Sequence, residues 1–217
     1  MILYIGNRRY SSWSLRPALA AAASGLAVEE RVIGLDLPGT AAAIHAVNPA
    51  GRVPVLHDGA LVVHDSLAIC EYLHELAPDA GLWPRERAAR ARARSIVAEM
   101  HSGFAALRTQ CPMNLGRLGR CLQVTPQPDT ARDLDRIATI WRDCRERFGQ
   151  SGPWLFGNFC IADAMFAPVV LRWVIYGLPR SAAVEDYVQH WLADIDLQDW
   201  IAAAQAETET IDRFEQE

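Results

Sequence analysis

The sequence predicts an α/β unit of order β-α-β-α-β-β-α followed by an all-α unit. Three observations carry that prediction. Strand-like and helix-like patterns alternate through the first 77 residues, strand signals vanish after Ala77, and 217 residues with 51% apolar content supply enough material for packed cores.

Ile2–Gly6 reads as a strand, residues 14–23 as a helix, residues 28–33 as a strand and Thr40–Val47 as a helix. The next two apolar runs, residues 53–56 and Leu61–His64, lie too close for a parallel crossover. They flank His57, Asp58 and Gly59, a tight-turn signal, and so predict an antiparallel hairpin. A helix over Ser66–Leu76 completes a mixed four-stranded sheet with helices packed on it. Residues 78–84 read as a linker whose second proline, Pro84, suits the first turn of the next helix, dividing the chain into units 1–77 and 85–217. Apolar positions Ile96, Val97, Met100, Phe104, Leu107 and Cys111 predict one helix; Leu134, Ile137, Trp141, Cys144 and Phe148 predict another. Further helices are expected over residues 161–176, 183–193 and 197–207.

Charge and composition narrow the function. With 26 acidic and 21 basic residues the net charge is −5, which gives no general attraction to nucleic acid or to an anionic membrane. All 21 basic residues are arginine, which excludes Schiff-base and phosphate-loop lysine chemistry. The five cysteines (Cys70, Cys111, Cys121, Cys144 and Cys160) show neither Cys-x-x-Cys nor zinc-ligand spacing, so reduced thiols, a cytoplasmic setting and no metal are expected. The N-terminus lacks a signal-peptide pattern, and the most apolar stretch, residues 161–178, is interrupted by Asp163 and Arg172; no membrane span is expected.

Three segments carry residues suited to chemistry. Tyr10-Ser11-Ser12-Trp13-Ser14 lies at the start of the first helix, where a serine hydroxyl caps the helix and can also donate to a ligand thiolate, lowering that thiol's pKa together with the helix dipole. Val53-Pro54 reads on spacing alone as an ordinary strand start; a cis bond there would turn the Val53 backbone toward a bound peptide. Asp65-Ser66 precedes a helix, where either side chain can cap the first turn. The same pair can hold an amino-acid head group, Asp65 on the ammonium and Ser66 with the helix N–H groups on the carboxylate.

Taken together, Ser11-Ser12-Trp13-Ser14-Leu15-Arg16, then Asn48-Pro49, Val53-Pro54-Val55-Leu56 and Asp65-Ser66, followed by a helical region, resemble a cytosolic glutathione transferase of the serine type. The serine-rich motif is similar to that of the zeta, or maleylacetoacetate isomerase, class. Gly157 to Asp163 resembles the superfamily's buried capping box, a folding motif with Asp163 three residues after the cap. The resemblance implies a thioredoxin-like N-terminal domain that binds glutathione and an all-α domain that supplies the pocket for an electrophile. It makes Ser11 the thiol-activating serine, with Ser12 and Trp13 beside it, Val53 and Pro54 the cis-proline pair on the cysteinyl backbone, Asp65 and Ser66 the γ-glutamyl site, and Arg52 the partner of the glycyl carboxylate. It also implies a homodimer.

Trp13 stands where the zeta motif has cysteine, so the zeta substrate is not carried over with the motif. Cys160 replaces the usual hydroxyl of the capping box, and a thiol accepts hydrogen bonds weakly. Tyr4 lies within the first strand and is a rival hydroxyl only. Met100, His101, Phe104 and Arg108 share a helical face expected to border the electrophile pocket, with Asn114, Arg172, Trp173 and Tyr176 as further candidates for its wall. The leading activity is therefore transfer of glutathione to a small electrophile. A glutathione-dependent cis–trans isomerase or thiol-disulfide reductase stays open, as does a non-catalytic protein-binding module of the same fold.

Overall fold

The computed structural model describes residues 1–120 and 122–215; Cys121 lies outside the described residues. Its sheet has four strands, β1 (Ile2–Gly6), β2 (Glu29–Ile33), β3 (Val55–Asp58) and β4 (Leu61–His64), in the order β2-β1-β3-β4. β1 runs parallel to β2 and antiparallel to β3, and β3 pairs antiparallel with β4. In β1 the side chains alternate as a two-residue period requires: Leu3 and Ile5 are fully buried, while Ile2 and Tyr4 are only half-buried. Leu15 and Leu19 of α1 (Ser12–Ser24) and Ile69 and Leu73 of α3 (Ser66–Leu76) join them in one core at four-residue spacing. The other helix of this region is α2 (Thr40–Val47), against β2.

The expected hairpin forms, but β3 starts two residues later than the apolar pattern suggests. Pro54 has no N–H to give the ladder, and pairing with Tyr4 begins at Val55. The turn itself falls on Gly59 and Ala60, with Gly59 at φ +58°.

Seven helices follow among the described residues: α4 (Arg87–Ser102), α5 (Ala105–Gln110), α6 (Pro128–Phe148), α7 (Ile161–Ile175), α8 (Ala182–Leu192), α9 (Ile195–Ala206) and α10 (Asp212–Glu215). Two expectations need correction. Pro84 is not in the first turn of α4; Glu86 is the cap instead, its carboxylate accepting from the Ala88 and Ala89 N–H groups. Nor do residues 96–111 form one helix. α4 ends at Gly103, where a Cβ would stand 2.7 Å from the Glu99 carbonyl oxygen, and Phe104 then turns the chain at φ +57° before α5 begins. Met100, His101, Phe104 and Arg108 therefore do not share one helical face.

α7 is the axis of the helical region and packs on α1, α4 and α8, with Asp163 fully buried at its first turn. Cys160 and Asp163 form the expected capping box, in which Asp163 Oδ2 accepts from the Cys160 N–H at 3.0 Å. Asp163 Oδ1 also accepts from the Leu155 N–H at 3.1 Å and the Tyr187 hydroxyl at 2.8 Å. Burial outweighs these bonds and pushes the carboxyl up to about 6. Among the described residues no helix is long and apolar enough to cross a membrane.

Candidate functional site

Three backbone features converge on one cleft of about 750 Å³: the start of α1, the segment before β3, and the start of α3. The segment before β3 is fixed by buried Asn48, whose Nδ2 donates to the Arg52 carbonyl at 2.6 Å and whose Oδ1 accepts from the Ala50 N–H at 3.0 Å. The Val53–Pro54 bond that follows is cis. Arg52, Val53 and Pro54 line one side of the cleft, with Asp65 and Ser66 beside them and Trp13 and His101 closing another side.

At the start of α3, Asp65 adopts φ +77°, a region that non-glycine residues occupy only when their surroundings hold them there. That turn lets Asp65 Oδ1 cap α3 through the Leu67 N–H at 2.8 Å and the Ala68 N–H at 3.4 Å. Its other oxygen meets His101 Nε2 at 3.2 Å, and the His101 ring stands edge-on to Trp13 at 5.3 Å. Ser66 is 1% exposed, and its Oγ has no hydrogen-bond partner among the described residues although the residue lines the cleft. A buried, unmet hydroxyl beside a helix N-terminus and a carboxylate is matched to a ligand carrying both a carboxylate and an ammonium group.

Ser11 and Ser12 do not line this cleft directly; they are buried beside it, 8% and 7% exposed. Ser11 is the cap of α1. Its Oγ accepts from the Ser14 N–H at 3.3 Å and donates to Ser14 Oγ at 2.8 Å, which in turn accepts from the Gly6 N–H at 3.1 Å. Ser12 Oγ accepts from Arg172 Nη2 at 3.3 Å.

Positive charge collects around these serines. Arg172 is anchored by the Cys111 carbonyl at 2.9 Å and the Pro168 carbonyl at 3.1 Å; burial, then Arg108, depresses its guanidinium to about 10. The guanidinium of Arg16 lies 4.2 Å from the Trp13 ring centre and that of Arg108 lies 5.6 Å from it. Arg16 is fully buried, and none of its three guanidinium nitrogens has a hydrogen-bond partner among the described residues. Burial, with Arg172 and Arg108 adding repulsion, pushes it down to about 9. Among the described residues no group of three or more His, Cys, Asp or Glu side chains could hold a metal.

The family model described as glutathione S-transferase, N-terminal domain, matches residues 10–76. A maleylacetoacetate isomerase of Mus musculus is 30% identical over 165 residues, an alignment covering 75% of this chain and 70% of that protein. The chain belongs to the glutathione S-transferase superfamily. It has zeta-like character. A probable maleylacetoacetate isomerase of Caenorhabditis elegans is 35% identical over 103 residues, 48% of this chain; the matched region spans about half of that relative, 47% of its length. Among solved structures, a glutathione transferase homolog from Burkholderia with bound glutathione superposes at a TM-score of 0.69 with 26% identity, covering 95% of this chain and 98% of that one.

The structure brings Trp13, Arg52, Val53, Pro54, Asp65 and Ser66, expected on the glutathione side, to one cleft together with His101, expected on the electrophile side. Met100 and Phe104 do not line it: they are buried in the core, 0% and 7% exposed. Arg108 reaches the site from α5, over Trp13. Tyr4, on β1, packs its ring against His57 of β3 at 4.9 Å and does not line the cleft. In the sequence Arg172 is only one of several candidates for the wall, and Arg16 and Asn48 figure only as members of the family motif. Nothing in a sequence window marks Arg16 as buried, since one arginine in a first helical turn usually reads as solvated.

Proposed function

We propose that this protein is a glutathione transferase: it binds glutathione in the cleft, holds the sulfur as thiolate beside Ser11 and Ser12, and delivers it to a small electrophile. Residues 1–77 would form the glutathione-binding domain and residues 85–217 the wall facing the electrophile. The observation that carries the reading is the buried, unmet Ser66 hydroxyl beside Asp65, on the same cleft as the Val53 backbone. Asp65 takes the γ-glutamyl ammonium, Ser66 Oγ and the α3 N–H groups its carboxylate, Val53 the cysteinyl backbone, and Arg52 the glycyl carboxylate.

Catalysis on this reading is positioning and pKa control. When the thiol loses its proton to solvent, the Ser11 hydroxyl turns from Ser14 to the sulfur, and Ser14 can donate back to Ser11 across their 2.8 Å contact. The α1 N-terminus and the nearby guanidinium groups favour the anion. Sulfur then forms a bond to the electrophilic carbon, and the leaving group departs with the electron pair of its bond. Isomerisation is the second reading: the sulfur adds, a bond rotates, and elimination returns glutathione. The relatives named as maleylacetoacetate isomerases support it. Arg16, Arg108 and Arg172, with no carboxylate hydrogen-bonded to them among the described residues, support an electrophile that itself bears a carboxylate.

The superfamily reading also carries a homodimer, for which exposed Leu61 and Val62 on edge strand β4 offer apolar surface, and a cytoplasmic supply of glutathione. A monomer at micromolar concentration would remove the dimer.

The test is ultraviolet difference absorbance of glutathione titrated onto the protein across a pH series. A saturable thiolate signal with a pKa below that of free glutathione is expected. Absence of that signal, with calorimetry also finding no binding, would leave the serine segment as a helix cap and favour the protein-binding module. Product analysis then separates the chemistries: a conjugate consumes glutathione, an isomerase returns it and a reductase oxidises it.

A further inference from the structure

The loop that leads into Ser11 is held less by the sheet than by the far end of the chain. Glu207 closes α9 and reaches back to residues 8 and 9: its Oε1 accepts from the Arg8 N–H at 2.7 Å and its Oε2 from the Arg9 N–H at 3.1 Å. The Glu207 carbonyl accepts from Arg9 Nη2 at 2.5 Å. The two carbonyls of the same dipeptide are met from the helical region too, Arg8 by Trp200 Nε1 at 3.2 Å and Arg9 by the Leu115 N–H at 3.0 Å. All four backbone polar groups of Arg8 and Arg9 are therefore bonded from beyond residue 110. Tyr10 continues the pattern, donating to Glu215 Oε1 at 2.6 Å and stacking on Phe214 at 5.6 Å, while Asn114 donates to the same carboxylate oxygen at 2.9 Å.

Glu207 is also at odds with its local helix. An acidic side chain at a helix C-terminus faces the negative end of the dipole, so the two N–H bonds to the loop must outweigh a local cost. We infer that Glu207 is a positioning residue for thiol activation: by clamping Arg8 and Arg9 it sets where Ser11 stands relative to the glutathione sulfur, coupling the end of α9 to the chemistry. The inference rests on the glutathione reading above. Its physical basis is that a donor misplaced by about 1 Å loses much of its effect on a reacting atom. Ser11 follows directly on that loop, and its N–H donates back into it, to the Asn7 carbonyl at 2.9 Å.

The test compares Glu207→Gln with Glu209→Gln, the same charge change two residues on at an exposed position. Amide hydrogen exchange over residues 7–12 reads the clamp without glutathione; the pKa of bound glutathione thiol and the separate kcat and KM values read its consequence. In Glu207→Gln, exchange at Arg8 and Arg9 should quicken about tenfold or more, the thiol pKa should rise, and kcat should fall about tenfold, while KM for glutathione stays within about twofold. Trp200→Phe, which removes the indole N–H but keeps an aromatic ring, should move the same readouts in the same direction and stands in if the Glu207 variant does not fold. Unchanged exchange in both variants would overturn the clamp. Faster exchange with unchanged thiol pKa and kcat would overturn its link to activation, leaving only a structural contact. Faster exchange in a protein whose wild type shows no thiolate signal would instead mark failure of the glutathione reading, and the activation role would fall with it.

Discussion

Replacing Ser11 with alanine separates its job as a helix cap from the chemical job proposed for it. The structural job is small. The Ser14 N–H bonds Ser11 Oγ at 3.3 Å but also the Ser11 carbonyl at 3.1 Å, so losing the hydroxyl leaves that donor with an acceptor. The stability cost should therefore sit at or below the ~1 kcal/mol typical of a lost cap, a fall of about 2–4 °C in Tm for a chain of this size. The chemical job is larger. A hydrogen bond to a charged group contributes about 1.5–3 kcal/mol, and each pKa unit corresponds to about 1.4 kcal/mol, so the bound thiol should titrate about 1–2 units higher in the variant. With Asp65, Ser66 and Val53 untouched, glutathione binding at low pH should change little. Difference absorbance across pH, paired with thermal unfolding, measures both jobs on one sample. Ser12→Ala is the companion: its oxygen accepts from Arg172, which keeps its two carbonyl partners, so a smaller rise is expected. A Ser11→Ala protein that binds glutathione as thiolate with the wild-type pKa would refute the assignment, and a larger effect in Ser12→Ala would move the role there.

Ser66→Ala should weaken glutathione binding about tenfold by calorimetry without lowering stability, because the hydroxyl it removes has no partner to lose among the described residues. Arg108→Gln should raise KM about tenfold for a carboxylate-bearing electrophile and leave a neutral aryl halide unaffected; equal losses for both would exclude an anion-binding role. Asp163 should give stability a pH slope of unusual sign. Its folded pKa, about 6, lies above the ordinary aspartate value of 3.8, so the folded state holds the proton more tightly, and this residue's contribution falls as pH rises from about 4 to 6, by on the order of 3 kcal/mol. Asp163→Asn cannot titrate, so its stability deficit against wild type, read by denaturant unfolding, should be larger at pH 4 than at pH 7; a deficit that grows with pH would show that the carboxylate is stabilised as the anion.

The sheet was legible because its signals are local. Leu3 and Ile5 alternate with half-buried neighbours, and Leu15, Leu19, Ile69 and Leu73 repeat at helical spacing, so order and type follow from short windows. Val53, Pro54, Asp65 and Ser66 sit at the ends of elements, where a few adjacent residues set the geometry, but spacing alone reads them as a strand start and a helix cap, and only the family resemblance makes them candidates for a glutathione site. The helix break at Gly103 was missed because the apolar repeat continues across it, from Met100 to Leu107, and periodicity outweighed a single glycine. Arg16, Arg172 and Glu207 were not legible as a group. Arg172 meets Ser12 and Glu207 meets Arg8 and Arg9 only because α7 and α9 pack on α1, while Arg16 touches Trp13 within its own helix and shows its burial only in the packed fold; Glu207 lies 199 residues from the Arg8 N–H it binds.

Arg16 then calls for a physical reason. A guanidinium group fully buried with no hydrogen bond is costly, and two further arginines nearby add repulsion. Replacing it with an apolar side chain of similar volume would relieve that cost, so packing alone gives no reason for a charge at this position. The face of Trp13 returns part of it through the 4.2 Å contact, but a ring quadrupole is a weak substitute for an anion. The larger return comes when negative charge enters the cleft. A thiolate beside Ser11 and a carboxylate on the second substrate would both be stabilised by cations held in a low-dielectric wall, where their field is little screened. On the proposed function, the ligand-free fold gives up stability beside the place where a bound anion would gain it. Destabilisation of the free state and stabilisation of a bound thiolate would then be two aspects of one arrangement of charge, set by Arg16 on α1, Arg108 on α5 and Arg172 on α7 around the start of α1 that carries Ser11 and Ser12.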